Sequence, residues 1–243
     1  MKTTTARLAL AAAAVLACGS AAAQEAAIRK ALAERLPSMP RIDEVRPAPI
    51  AGLYEVRYGG SEILYVDAKA EFIVQGSILD TKTLTNLTEA RLDQLTAIDF
   101  AKLPFKDAIT LRQGSGKRQV AVFVDPNCGY CKRFERDLAG VKDLTIHAFL
   151  MPILGPDSSA KSRDIWCNKD PAKTWRAWML DGVVPPKAMG ACDAGALARN
   201  VALGQRHRIN GTPAVVFEDG TRKPGAIPID QVEKLLAAAS KKV

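Results

Sequence analysis

The segment Cys128-Gly129-Tyr130-Cys131 places two thiols three positions apart, directly after the turn-forming Asp125-Pro126-Asn127. Sulfurs at that spacing reach each other across one helical turn. One can attack a foreign disulfide and the other can displace it from the mixed disulfide that results. The attacking species is the thiolate, which the free N–H groups and partial positive charge at a helix N-terminus favour. A helix is expected over 128–138 with Asn127 as its N-cap. Cys128 is then the expected nucleophile, exposed and the more readily ionised of the two, and Cys131 the buried resolving thiol. Two plainer readings of the pair are weaker. Zinc takes four ligands, usually from a second Cys-x-x-Cys or paired histidines, and Cys167, Cys192, His147 and His207 show no such spacing. A static bridge inside one turn closes too short a loop to stabilise the chain much. Neither a metal nor a cofactor is expected.

A second signal lies far downstream, in Gly211-Thr212-Pro213-Ala214-Val215-Val216, where a proline opens an apolar strand. Alone it reads as an ordinary trans proline at a strand start. Beside a Cys-x-x-Cys it reads as a cis peptide that turns the backbone of Thr212 toward the sulfurs, where an extended client segment can pair with it. Cys167 and Cys192 complete the thiols after the leader. Four cysteines allow three pairings, and the Cys-x-x-Cys spacing of the first two leaves Cys167 for Cys192 as a structural disulfide. His147, His207 and the three tryptophans, Trp166, Trp175 and Trp178, read as structural or packing residues.

An even thiol count suits an oxidising compartment, and the N-terminus agrees with export. Lys2 and Arg7 precede the apolar run from Leu8 to Ala17, and Ala21-Ala22-Ala23 before Gln24 is a small-residue cleavage site. Residues 1–23 are therefore expected to be a signal peptide that directs the chain to the periplasm. A lipoprotein reading of Val15-Leu16-Ala17-Cys18 fits less well. No later run is long enough to span a bilayer.

The elements that must position the thiols fall into two parts of different charge. Residues 24–101 carry 9 Lys and Arg against 12 Asp and Glu, and residues 102–243 carry 23 against 14. The basic residues are scattered and not interleaved with aromatics, so no nucleic-acid partner is expected. Residues 25–36 have helical spacing at Ile28, Leu32 and Leu36, followed by strand-like runs at 53–58, 62–66 and 71–75, an antiparallel meander under one helix. So small a core needs a partner surface. Residues 87–101 are rich in helix formers and read as a connecting helix closed by Pro104. Beyond it come strands at 108–112, 119–124 and 144–150, helical composition over 158–208, a strand and hairpin from Pro213, and a final helix over 229–239. That order is an α/β plan.

These segments together resemble the DsbC-type bacterial periplasmic thiol-disulfide isomerases, across nearly all of the chain after the leader. The resemblance is carried by Arg46-Pro-Ala-Pro-Ile-Ala-Gly52, Cys128-Gly-Tyr-Cys131, Ile165-Trp-Cys-Asn-Lys-Asp170, Gly211-Thr-Pro-Ala-Val-Val216 and Asp219-Gly-Thr-Arg-Lys-Pro-Gly225. It implies an α/β thioredoxin-like catalytic domain with a helical insertion over 104–243. A small α+β, cystatin-like dimerisation domain over 24–85 and a linker helix over 86–103 would precede it. It further implies a V-shaped homodimer with chaperone activity whose Gly129, Tyr130, Thr212 and Pro213 meet the client. Misfolded, disulfide-containing exported proteins are the implied clients, and a membrane thiol reductase of the DsbD type the electron donor. A DsbG-type isomerase or thiol reductase, and a dimeric holdase without thiol chemistry, are the alternative functions. A DsbA-type oxidase fits less well, since Gly129-Tyr130 stands where that class has Pro-His. One departure from the wider thioredoxin pattern is Val122, six positions before Cys128, where thioredoxins carry a buried acid.

Overall fold

The computed structural model describes residues 22–240. The signal peptide and the Cys18 lipidation alternative lie outside the described residues, apart from the last residues before Gln24. The chain divides into two compact units, one ending at Leu95 and one beginning at Thr96.

In the first unit, helix α1 (22–35) packs on an antiparallel sheet of β1 (Ile42–Pro47), β2 (Leu53–Tyr58), β3 (Glu62–Asp67) and β4 (Ile73–Val74), in that order. Side chains alternate across a strand, so Val56, Leu64 and Val66 face α1 with Ile28 and Leu32 while Glu55 and Tyr65 face away. That second face holds an ion-pair network. Arg46 grips the 3 % exposed Glu55 bidentately, both bonds at 2.8 Å. A two-stranded ribbon, β5 (Leu79–Asp80) with β6 (Thr85–Asn86), leads into α2 (Leu87–Thr96). From α2, Arg91 reaches Glu44 at 2.8 Å, and Thr88 hydrogen-bonds the Tyr65 hydroxyl. Strand β1 is not among the sequence expectations. Only Val45 of its six residues is buried and Pro47 ends it, so periodicity carries little signal. The expected run 71–75 narrows to Ile73–Val74.

The second unit is a five-stranded sheet in the order β11-β10-β8-β9-β7. Its strands are β7 (Ile109–Arg112), β8 (Arg118–Val124), β9 (Leu144–Leu150), β10 (Ala214–Phe217) and β11 (Arg222–Pro224). Strands β8 and β9 are parallel, joined through α3 (Gly129–Leu138), and the other pairs are antiparallel. The central β8 is apolar on both faces, as a strand buried on both sides should be. Val120, Val122 and Val124 join the core that holds Cys128, Cys131, Trp175 and Leu236, while Ala121 and Phe123 join Phe100, Phe149 and Val216. Three helices are inserted between β9 and β10: α4 (Pro156–Trp166), α5 (Pro171–Asp181) and α6 (Gly195–Arg206). The last helix is α7 (Ile229–Ala239). Cys167, at the end of α4, is disulfide-bonded to Cys192, ahead of α6.

The connecting helix expected to run to 101 stops at Thr96. Ile98 donates its N–H to Gly220 O at 3.0 Å, and Ile98, Phe100 and Leu103 are buried in the second unit. Three apolar anchors and a hydrogen bond to the turn between β10 and β11 outweigh helix-favouring composition, which is a weak preference.

Candidate active site

Strand β8 ends at Val124, and the chain turns through Asp125, Pro126 and Asn127 before α3. The carboxylate of Asp125, fully buried, holds that turn. It accepts from Asn127 N at 2.8 Å, Ile153 N at 2.8 Å, Leu154 N at 3.0 Å and Ser158 Oγ at 2.7 Å. A carboxylate taken out of water needs such partners, and these four tie the start of the thiol helix to the loop before α4 and to α4 itself. Trp178 closes the turn from α5, its Nε1 donating to Pro126 O at 2.6 Å. Lys132 Nζ sits 3.7 Å from the centre of the Trp178 ring and Lys161 Nζ 5.1 Å from it. Burial lowers the Lys132 pKa, and the neighbouring charges of Lys161 and Arg136 lower it further.

Cys128, and not Asn127, is the N-cap of α3. Its backbone is extended and its Sγ accepts the Cys131 N–H at 3.2 Å. The side chain of Asn127 turns instead to Asp157, at 2.7 Å. The cap position aims the Cys128 sulfur at the unpaired amides of the first turn, where an anion is best stabilised. From the opposite side, Cys128 Sγ donates to Thr212 O at 3.2 Å, across a Thr212–Pro213 peptide bond that is cis. Cys128, Cys131, Thr212 and Pro213, 84 residues apart at the ends of that contact, are thus brought to one place. Cys128 is not the exposed thiol expected from its position at a helix start. It is 6 % exposed and Cys131 1 %, because the Thr212 loop lies over one and the core encloses the other. Burial drives the Cys131 thiol well above the usual thiol range, and the adjacent Cys128 sulfur adds to the shift while Asp125 and Thr212 oppose it.

The exposed part of the motif is Tyr130, 64 % exposed, with the Arg133 guanidinium 5.1 Å from its ring centre. At Gly129 an added Cβ would meet nothing within 4 Å, so the surface over the helix start is open. The roles of Asp125, Trp178 and Lys132 were not visible beforehand. Asp125 reads as a turn residue, and its partners come from loops and helices that only the fold assembles. Val122 is 2 % exposed within the apolar core and offers no titratable group beneath the thiols. His147 is a strand residue flanked by Thr110 and Gln119, away from the sulfurs in sequence and contacts.

A buried strand, a thiol pair capping the following helix and a cis-proline strand against the first sulfur define a thiol-disulfide oxidoreductase of the thioredoxin fold. Comparison with known proteins agrees. Residues 105–240 match the family described as a thioredoxin-like domain, and residues 19–89 match the disulfide bond isomerase protein N-terminal domain. The chain is 41 % identical over 213 residues to the probable thiol:disulfide interchange protein DsbC of Bordetella pertussis, spanning 88 % of this chain and 74 % of that one. It is 32 % identical over 225 residues to the Escherichia coli (strain K12) thiol:disulfide interchange protein DsbC, spanning 90 % and 89 % of the two. A solved disulfide interchange protein from Neisseria gonorrhoeae superposes with a TM-score of 0.53 at 37 % identity, over 56 % of this chain and 98 % of that one. The chain belongs to the DsbC family of thiol:disulfide interchange proteins.

Proposed function

We propose that the chain is a periplasmic protein disulfide isomerase in which Cys128 attacks non-native disulfides of exported proteins. The single observation that carries the residue assignment is the placement of Cys128 Sγ, 3.2 Å from the Cys131 N–H and 3.2 Å from Thr212 O. The first contact holds the sulfur at the start of the helix, and the second sets the nucleophile beside a backbone carbonyl that an extended client segment can use. Attack breaks the client S–S bond, forms a Cys128–client disulfide and frees a client thiolate. That thiolate, or another on the same client, can attack back and leave a rearranged disulfide and reduced Cys128. Alternatively Cys131 attacks Cys128 Sγ, releasing a reduced client and leaving a Cys128–Cys131 disulfide that a donor of the DsbD type must reduce. Gly129, Tyr130 and Thr212 form the surface the client meets, with Pro213 buried directly behind Thr212.

Residues 24–85 serve in this reading as the homodimerisation domain, 86–103 as the linker and 104–243 as the catalytic domain. The short end strand β4 supports dimerisation, since Phe72, Ile73 and Val74 are exposed at the sheet edge and an unpaired apolar edge calls for a partner. The leader-like N-terminus and the Cys167–Cys192 disulfide support an oxidising compartment. Among the described residues no helix is long and apolar enough to cross a membrane.

Alkylation of Cys128 in the reduced full-length protein tests the assignment. Reactivation of a scrambled multi-disulfide protein is expected to fall to the uncatalysed rate, while suppression of aggregation of a cysteine-free client persists. Undiminished reactivation by the alkylated protein would remove Cys128 from the reaction.

A further inference from the structure

The contact with Cys128 uses one side of the Thr212 loop. Strand β10, which that loop enters, lies between β8 and β11, with Ala214 beside Phe123 on one side and beside Pro224 on the other. Cys128 follows β8. On the β11 side of the loop is a recess of about 290 Å³, lined by Asn210, Gly211 and Thr212 and by two arginines, Arg208 and Arg222. Among the described residues no Asp or Glu lines it.

Helix α6 ends in a Schellman-type turn, in which Ile209 N donates to Gly204 O at 2.8 Å and Arg208 N to Gln205 O at 3.0 Å. The residue after the cap takes a left-handed backbone there, a position that favours glycine, and it is Arg208, at φ 54°. Arg208 is exposed at the rim of the recess. Arg222 is partly buried on β11, and its guanidinium reaches the helix end, donating to His207 O. A guanidinium carries several N–H donors in a fixed fork, and the carbonyls of a helix end supply only a partial negative charge. Burial pulls the Arg222 pKa down, and no carboxylate opposes that shift. Burial also lowers the pKa of neighbouring His207, and the charges of Arg206 and Arg222 lower it further, so the surroundings are cationic.

We propose that this recess is a client subsite for an acidic side chain, with Arg222 and Arg208 binding the carboxylate. The inference rests on the reading of Cys128 as nucleophile and deepens it, naming the client sequences that react fastest. An extended segment advances about 7 Å in two residues. Its cysteine sits at Cys128 Sγ, which is 3.2 Å from Thr212 O. A client drawn across the Thr212 loop therefore brings a side chain one or two residues from that cysteine over the recess. A carboxylate there takes paired N–H bonds from the Arg222 fork in a site partly shielded from water. Arg208 adds a second positive charge at the rim.

Short peptides whose single cysteine is activated as the 2-pyridyl disulfide report the step directly. Attack by Cys128 forms the Cys128–peptide disulfide and releases pyridine-2-thione. With the reduced full-length protein, Glu is compared with Gln at each of the two positions on either side of the peptide cysteine, and at a control position about six residues away. At one or more near positions Glu should raise the second-order rate about fivefold over Gln, and at the control position much less. Arg222→Gln should bring the near ratio down to the control ratio, and Arg222→Lys, which keeps the charge without the fork, should restore part of it. Arg208→Glu, at an exposed side chain and away from the bond to His207, should abolish or reverse the preference, whether or not Arg222→Gln folds. Equal rates for Glu and Gln at every near position would overturn the proposal. So would a near preference no larger than the control's, the mark of the chain's net positive charge, or one that survives Arg208→Glu. If wild-type protein released no thione from any peptide, or Cys128→Ser released it undiminished, the nucleophile reading would fail instead.

Discussion

In the proposed reaction, Cys128 depends on groups that lie behind the client surface. The four hydrogen bonds into Asp125 fix the turn that sets Cys128 at the helix cap, and the Trp178 indole fixes Pro126 from the other side. Two further buried residues, both titratable, give the second unit a stability that depends on pH with opposing signs. Burial lowers the His147 pKa in the folded state, so folding favours neutral imidazole. Its contribution is present above the unfolded value and lost as pH falls through the lowered folded value. Burial raises the Glu135 pKa to about 7, so folding favours the neutral carboxyl. That contribution is fully present below the unfolded carboxylate value and lost as pH rises through about 7. Glu135→Gln should therefore raise the urea midpoint at pH 8 and leave it nearly unchanged at pH 5, a difference on the order of 3 kcal/mol. Equal shifts at both pH values would mean that Glu135 is not buried as described.

At the scale of elements, the Cys167–Cys192 bond fastens the end of α4 to the approach of α6, closing a separation of 25 residues. In the chain-entropy view such a loop is worth about 3 kcal/mol. Replacing both cysteines with serine should lower stability by about that much, measured by denaturant unfolding under non-reducing conditions, while the reaction of Cys128 with a small disulfide reagent keeps its rate. Loss of that reaction in the folded double variant would tie the insertion to the active site itself. The elements most legible in the sequence are those whose signal is local. The apolar run of β8, the strand 144–150 and the amphipathic helix 229–239 all appear where periodicity puts them. The pairing of Thr212 with Cys128 was legible only because two motifs were read together. What escaped depends on distant residues. Strand β1 is held by its neighbour β2 and buries one side chain; α2 ends early because Ile98, Phe100 and Leu103 are claimed by another core. Cys128 takes the cap, and the side chain of Asn127 bonds Asp157 on α4 instead. Glu135 looks like any charged helix residue until α5 covers it.

At the scale of the whole molecule, an isomerase must stay reduced among oxidants, so its thiols have to be open to a donor and closed to an oxidase. In the proposed homodimer that selectivity comes from the first unit, and two linked copies would also hold a client at more than one point. Removing residues 24–85 should give a monomer that still exchanges small disulfides, loses most isomerase activity on multi-disulfide proteins, and accumulates oxidised in the periplasm. A truncated monomer that stayed reduced in cells and kept full isomerase activity would take that role from the first unit. The claim on which everything else depends is that Cys128 makes the covalent bond to the client. It is tested most directly by incubating the Cys131→Ala variant with a scrambled multi-disulfide protein, quenching with acid, and locating the cross-link by mass spectrometry. The expected result is a thiol-reducible adduct joined through Cys128, absent when Cys128 is also replaced by Ala; an adduct formed through Cys131 in the Cys128→Ala single variant, with none through Cys128 in the Cys131→Ala variant, would contradict it.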